Sequence, residues 1–282
     1  MHRFYIPPEA WNSNALVLRG GEAHHARTVL RMDRGEKAVL FNGRGREVTA
    51  QIAELGREEI RFRKLHEAKT PPLRCGIMLG QAIPKGKNME LIVQKAVEIG
   101  AAEIAPIISE RTIVELGVAE SVQKQAKWQQ VAIEAAKQCG QNWLPPVHTP
   151  RKLNDFFAQL DSAAGLKTFN AAALPERLSG AHAPSQSESL AANERLPQLR
   201  LIGSLQPDAQ HFKKVLGDYV TLHRYPPTDV LMLVGPEGDF TPAELALAKT
   251  HGCRPITLGP IILRVETAAI YCLSVLSYEL LI

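Results

Sequence analysis

An unbroken apolar run, Val230 to Val234, passes directly into Gly235-Pro236-Glu237-Gly238 and then into Thr241-Pro242-Ala243-Glu244. Such a run, bounded by turn residues, reads as a strand buried on both faces in a parallel sheet. The Gly-Pro-Glu-Gly segment reads as a tight loop. Thr241 can accept from the amide of residue 244, Pro242 suits the first helical position, and Glu244 can bond back to the Thr241 amide. That is a capping box, and it opens a helix. Strand, glycine loop and capped helix form the carboxyl-end junction of an open α/β sheet, where ligands bind. Glycines let a ligand approach the backbone closely, and Glu237 puts one charge in the loop. A strand-to-helix turn with no ligand fits the same residues, so the reading depends on a second loop late in the chain.

A chain of 282 residues is long enough for two domains, each with its own core. Charge divides it unevenly. Residues 1–70 carry 13 Lys and Arg against 9 Asp and Glu, whereas residues 71–282 carry 20 of each. A basic module beside a neutral one suggests a polyanion-binding accessory domain, although four surplus charges on a solvated surface give the same count. Cys75, Cys139, Cys253 and Cys272 have no metal-type spacing, which points to reduced thiols and a cytoplasmic location. MHRFYIPPEA has no apolar h-region, so no signal peptide is expected. Thr267 to Ile282 is too short to span a bilayer core of about 30 Å, so no membrane partner is expected.

Residues 1–70 hold short alternating segments: Ala15 to Leu18, Lys37 to Phe41 ending at the hairpin signal Asn42-Gly43, Glu47 to Ala53, and Glu59 to Leu65. They predict a small β-barrel. A short helix, Glu22 to Arg31, interrupts it and carries His24, His25, Arg27 and Arg31 on its charged side. The adjacent histidines point in different directions and have no third ligand nearby. A polar RNA-facing surface suits them better than zinc, and no metal is expected. Lys69 to Leu73 (KTPPL) is an extended linker and marks the domain boundary.

Beyond it, strands alternate with helices, as in an α/β layer with a parallel sheet. Cys75 to Ala82 is a strand. Gly80 to Asn88 then resembles a P-loop but fails twice: five residues separate the glycines, and Asn88 stands where Ser or Thr should ligate magnesium. ATP and GTP are rejected on that ground. Asn88 to Ile99 is a helix closed by Gly100. Glu103 to Ser109 is a strand with Arg111 at its carboxyl end. Ser121 to Cys139 and Leu153 to Leu160 are helices. Residues 162–198 break the rhythm with a small, polar, aperiodic stretch that reads as a mobile insertion, and Leu166 to Asn170 is a possible strand at its start. Leu199 to Leu205 is a strand, a helix starts at His211, and Arg254 to Leu258 is the last strand. The second glycine loop, Gly259 to Val265, follows. The closing helix, Glu266 to Leu281, is apolar almost all round, which predicts burial by its own sheet and by a second subunit.

GPEGDF and LGPIILRVETA, together with QKAVEIG (Gln94 to Gly100), SERTIV (Ser109 to Val114), EAAKQCGQ (Glu134 to Gln141) and the opening HRFYI and HHARTVLR segments, resemble the RsmE family. The resemblance runs through the chain except for 162–198. It implies a PUA-like barrel ahead of a knotted α/β methyltransferase domain of the SPOUT type. It implies S-adenosylmethionine as methyl donor, a homodimer, and methylation at N3 of a uridine in 16S ribosomal RNA of the assembled small ribosomal subunit (uridine 1498 in that RNA's numbering). The sequence departs from the family pattern at Asp239, where glycine is usual, at Ile261 and Gln141, where arginine is common, and at Val265, where threonine is common.

Carried over residue by residue, the resemblance places the donor against Leu205, Leu233, Gly235, Pro236, Glu237, Gly238, Leu258, Gly259, Leu263, Glu266, Thr267 and Ala268. Leu258, Gly259 and Leu263 would clamp adenine, and the Gly235–Gly238 loop would hold the ribose and methionine parts. The first cofactor loop should follow a strand ahead of GPEG, and Leu199 to Leu205 suits it better than Leu166 to Asn170. Transfer to a uracil nitrogen requires loss of the N3 proton. Arg264 is the candidate to stabilise the resulting charge, and Glu237 is a candidate acceptor, though weak at an ordinary carboxylate pKa of about 4.3. Arg264 paired with Glu237 or Glu266 as a loop brace fits the sequence equally. Arg3, His25, Arg27, Arg31, Lys85, Lys87 and Arg111 are the candidate RNA contacts. A related methyltransferase acting on ribose 2′-oxygen and a non-catalytic RNA-binding assembly factor are the alternatives.

Overall fold

The computed structural model describes residues 1–112, 116–164, 199–224 and 226–281. It divides into two compact units: Met1–Pro72 with Ala132–Pro145, and Leu73–Val131 with Pro146–Ile282.

The first unit is built on β1 (His2–Tyr5), β2 (Leu16–Arg19), β3 (Lys37–Phe41), β4 (Arg46–Leu55) and β5 (Glu59–Lys69). The sheet order is β1-β3-β4-β5-β2. β1 joins β3 in parallel and the other pairs are antiparallel. The expected barrel is thus a half-barrel with β1 and β2 at its edges. Alternation explains the core: Val48, Ala50 and Ile52 of β4 point inward and are buried with Phe4, Leu40 and Ile60. The helix expected over 22–31 starts earlier, at Gly20. It runs as α1 (Gly20–His24) into a π-turn, His25–Val29, and Arg31 leaves it with φ 52°.

This unit also takes in the end of a long helix. Asn142 donates to Glu47 at 2.9 Å and to the Thr70 hydroxyl at 2.8 Å. Lys137 pairs with Glu22 at 3.0 Å. The linear boundary near residue 70 therefore misses a segment, because these side-chain bonds between residues far apart in sequence leave no local signal.

The second unit runs β6 (Gly76–Ala82), α2 (Asn88–Ile99), β7 (Glu103–Ile108), α3 (Val118–Cys139, whose last part belongs to the first unit), β8 (Arg151–Lys152), α4 (Leu153–Ala164), β9 (Leu199–Gly203), β10 (Gln210–His211), α5 (Phe212–His223), β11 (Asp229–Val234), α6 (Pro242–Thr250), β12 (Arg254–Thr257) and α7 (Val265–Leu280). The seven strands are ordered β10-β12-β9-β11-β6-β7-β8, and every pairing is parallel. The central pair, β11 and β6, is buried along its whole length, which is why both read as apolar runs. Gly80 lies in this pair because a side chain there would collide with Leu233 of β11. After β12, near one side of the sheet, the chain returns to the centre, where α7 packs on α2, β6 and β11. This parallel α/β course agrees with the α/β domain that the resemblance implies.

The turn chemistry behaves as its residues require. Thr241 accepts from Glu244 N–H at 3.2 Å and Glu244 accepts from Thr241 N–H at 2.9 Å, so the capping box at α6 is closed. Gly100 ends α2 at φ 98°. The closing helix is buried on one face, through Ala269, Cys272, Leu273 and Leu276, while Tyr271 and Tyr278 lie on an exposed side. The insertion expected over 162–198 starts later, because α4 continues to Ala164; residues 165–198, with the possible strand Leu166 to Asn170, lie outside the described residues.

Candidate cofactor and substrate site

Parallel strands bring their carboxyl ends to one edge of the sheet, and three of those ends enclose a cavity of about 440 Å³. One wall is Gly203-Ser204-Leu205, leaving β9. The second is Val234 to Asp239, leaving β11. The third is Thr257 to Val265, leaving β12 and entering α7. Asn88 closes it from the start of α2 and Ala268 from the first turns of α7. The size lies in the usual range for small-molecule pockets.

The β11 loop is held at four points by neighbouring loops. The Glu237 carboxylate accepts from Lys85 N–H at 3.1 Å, within the loop after β6. Arg111, after β7, donates to the Gly238 carbonyl and, at 3.5 Å, to that of Asp239. Asp239 Oδ2 accepts from Leu205 N–H at 3.0 Å. Glu244, buried at the base of α6, also accepts from the Ser109 hydroxyl at 3.1 Å and Glu110 N–H at 2.9 Å. Gly238 (φ 94°) and Gly259 (φ 121°) occupy backbone that side chains avoid. A Cβ at Gly235 would crowd the loop, meeting Phe240 N at 3.2 Å and Asp239 Oδ1 at 3.3 Å.

Most of the residues expected to hold a cofactor meet here: Leu205, Gly235, Pro236, Glu237, Gly238, Leu258, Gly259, Leu263, Glu266 and Ala268 all line the cavity. Leu233 and Thr267 do not. Leu233 points into the core on the opposite face of β11, packed with Leu231 and Phe240, because side chains alternate along a strand. Thr267 lies exposed on α7. Sequence reasoning missed Asn88 as a site residue. Its amide donates to Glu266 at 3.3 Å and ties α2 to α7. Nothing local announces that bond, since the partners are far apart in the chain. Asp239, read only as a departure from the family pattern, is a second wall-to-wall contact.

The charged candidates separate into groups. Arg264 is the N-cap of α7, exposed at the cavity lining, and no side-chain partner holds it among the described residues. The brace to Glu237 or Glu266 does not form. Glu237 is itself a brace through Lys85 N–H, which favours a structural carboxylate over a proton acceptor. Arg3, expected on an RNA-facing surface, is tied inside the first unit: it bonds Glu47 at 3.0 Å and Asn142 at 2.6 Å and lies over the Phe41 ring. Arg27 donates to the Gly56 carbonyl at 3.3 Å and to that of Arg57. His25 sets its ring edge-on to Phe4. Arg111 is a loop clamp. Arg31, Lys85 and Lys87 remain exposed, with no side-chain partner among the described residues.

The cavity suits a partly apolar ligand that also carries polar groups, with the Arg264 guanidinium and three carboxylates on its lining. Leu258, Ile261, Ile262, Leu263 and Val265 supply an apolar wall, and Glu237, Asp239 and Glu266 supply carboxylates. Burial pushes the Cys272 thiol up to about 12 and the Cys253 thiol likewise, so neither is a nucleophile at neutral pH.

Residues 71–277 match the family model described as an RNA methyltransferase domain, and residues 18–65 match an RNA methyltransferase PUA domain. A Legionella pneumophila protein described as a methyltransferase, solved in complex with bound SAM, is 31% identical, with TM-score 0.74 over 98% of this chain and 97% of its own. The ribosomal RNA small subunit methyltransferase E of Neisseria gonorrhoeae, solved bound to S-adenosyl methionine, is 29% identical, with TM-score 0.74 over 99% and 98% of the two chains. The Synechocystis protein of the same name is 27% identical over 97% of this chain and 76% of its own.

Proposed function

The chain belongs to the RNA methyltransferase family, and on that premise we propose that it transfers a methyl group from S-adenosylmethionine to N3 of a uridine in 16S ribosomal RNA of the small ribosomal subunit. The observation that carries this reading is the three-walled cavity at the carboxyl edge of the sheet, with the Arg264 guanidinium on its lining.

S-adenosylmethionine, when bound, supplies a methyl group on a sulfonium centre. The rest is work for this chain's residues. The backbone of Leu258, Gly259 and Leu263 and the side chains of Ile261 and Ile262 offer an apolar slot for adenine. The Gly235–Gly238 loop, clamped from two neighbouring strand ends, holds the ribose and methionine portions in a fixed frame. Most of the acceleration then comes from positioning. The target uracil must leave its stack to reach the site, and loss of its N3 proton leaves negative charge on the base. Arg264, exposed and without a carboxylate partner among the described residues, would stabilise that charge. Arg31 in the first unit and Lys85 and Lys87 after β6 are the cations open to RNA phosphates. Two copies would pair through α7, whose exposed Tyr271 and Tyr278 (41% and 72% accessible) support this. The enzyme would act in the cytoplasm on subunits held there.

Calorimetry with S-adenosylmethionine and nucleoside analysis of treated small subunits test the reading. The wild type should bind the donor and produce 3-methyluridine. Gly235→Val should abolish binding, because its side chain enters space held by Phe240 and Asp239. A 2′-O-methylated product would move the activity to the ribose. A folded wild type that binds no donor would leave an RNA-binding factor.

A further inference from the structure

Asp239 stands at φ 70°, in the backbone region that favours glycine. A side chain in that conformation costs stability unless it does something in return, and this one makes two hydrogen bonds. Its Oδ1 accepts from Phe240 N–H at 2.8 Å, a local bond that holds the carboxylate in place. Its Oδ2 accepts from Leu205 N–H at 3.0 Å, and that bond crosses from the loop after β11 to the loop after β9.

The crossing matters because of what the β9 loop lacks. Ser204 N–H bonds the Ile256 carbonyl at 3.0 Å. Gln206 N–H turns back to the Ser204 hydroxyl at 3.1 Å. Between them, Leu205 N–H has only the Asp239 carboxylate among the described residues, and the Leu205 side chain is 61% accessible, so packing does not anchor it. Both loops wall the same cavity.

We propose that Asp239 is a positioning residue for the methyl donor: its carboxylate latches the β9 loop to the β11 loop and so sets the spacing of two cavity walls. The inference rests on the donor-binding reading above. A carboxylate suits the task because it accepts two N–H bonds at once, and charge-assisted bonds are stronger than neutral ones. Asparagine tolerates the same backbone but keeps one acceptor oxygen. Glycine relaxes the backbone and removes the latch altogether. Because the latch shapes the cavity rather than meeting the reacting atoms, its loss weakens donor binding in the ground and transition states alike.

The experiment compares wild type, Asp239→Asn and Asp239→Gly. It measures the Kd for S-adenosylmethionine by calorimetry, kcat and the donor KM on small ribosomal subunits, and Tm for each protein. Glycine is expected to raise Kd and KM about tenfold or more, and asparagine by a smaller factor. Both should hold kcat at saturating donor within about threefold, and Tm should move little, since glycine is at ease at φ 70°. Glycine binding the donor within twofold of wild type, or a fall in kcat at unchanged KM, overturns the latch. A wild type that fails to bind the donor overturns the functional reading and the latch with it. A wild type that binds while the glycine variant binds equally well overturns the latch alone.

Discussion

Arg264 and Glu237 are both charged residues on the cavity lining, and their surroundings give them opposite characters. Glu237 receives a backbone N–H from Lys85, so it is a loop fastener. Arg264 caps a helix with its backbone, while its guanidinium is unpaired among the described residues and open to whatever enters. Truncating it removes charge stabilisation without removing a structural bond. Arg264→Ala is expected to lower kcat about 100-fold with the donor Kd changed less than about threefold, as checked by steady-state kinetics beside calorimetry. Arg111 shows the reverse lesson. A cation at a strand end reads as a nucleic-acid contact, yet its guanidinium holds the Gly238 carbonyl. Sequence shows that a cation is present, whereas its partner depends on which strand lies next door.

Among the elements, α6 is the one most fully written into the chain. The Thr241-Pro242-Ala243-Glu244 box forms as its residues require. Its glutamate also reaches Ser109 and Glu110, joining α6 to the end of β7. Glu244→Ala therefore removes a cap and leaves three buried or half-buried donors short of a partner. It is expected to cost about 2–4 kcal/mol, visible as a lowered urea midpoint at unchanged m-value. The far end of the same helix is held by Asp161 of α4, which accepts from Arg200 at 2.9 Å and from His251 at 2.7 Å, with the His251 ring stacked on Phe157. Burial pushes the Asp161 carboxyl up, but the hydrogen bonds and charges of Arg200 and His251 more than offset this and hold it below its ordinary value. A carboxyl depressed in the folded state stabilises it above the unfolded pKa of about 3.9, and that contribution is lost as pH falls through the folded value. Asp161→Asn should thus be less stable than wild type at pH 7, by under about 1 kcal/mol for so exposed a carboxylate. In thermal melts across pH, the gap should close in acid.

For the whole molecule, the unit boundary is not a single point in the chain. Residues 132–145 belong with the first 72, through Asn142 on Glu47 and Thr70, Arg3 on Asn142, and Trp143 Nε1 donating to the Thr70 carbonyl at 2.9 Å. A fragment of residues 1–72 ending at the KTPPL linker lacks all of these partners. It is expected to unfold with a broad, weakly cooperative transition. Amide exchange should report β1 and the end of β5 as unprotected, whereas the full chain should protect both. A fragment as sharply cooperative and protected as the full chain would show that 132–145 is dispensable.

Local chemistry alone placed much of this protein. Apolar runs marked β6 and β11 because both faces of a central parallel strand are buried, and alternation marked β4 because one face is. A capping box marked α6, and two glycine loops marked the cavity because backbone at positive φ accepts few other residues. Other features depended on the tertiary structure, because their partners are distant in sequence. Leu233 leaves the site and Asn88 enters it according to which face of an element meets the cavity. Arg3 and Arg111 turn from surface cations into braces once their neighbours are known. Asp239 becomes a link between two walls only because parallel pairing brings the ends of β9 and β11 together. Periodicity and caps report what a residue does with its near neighbours in the chain; a hydrogen bond across more than a hundred residues, such as Glu244 to Ser109, is decided by the packing of the sheet.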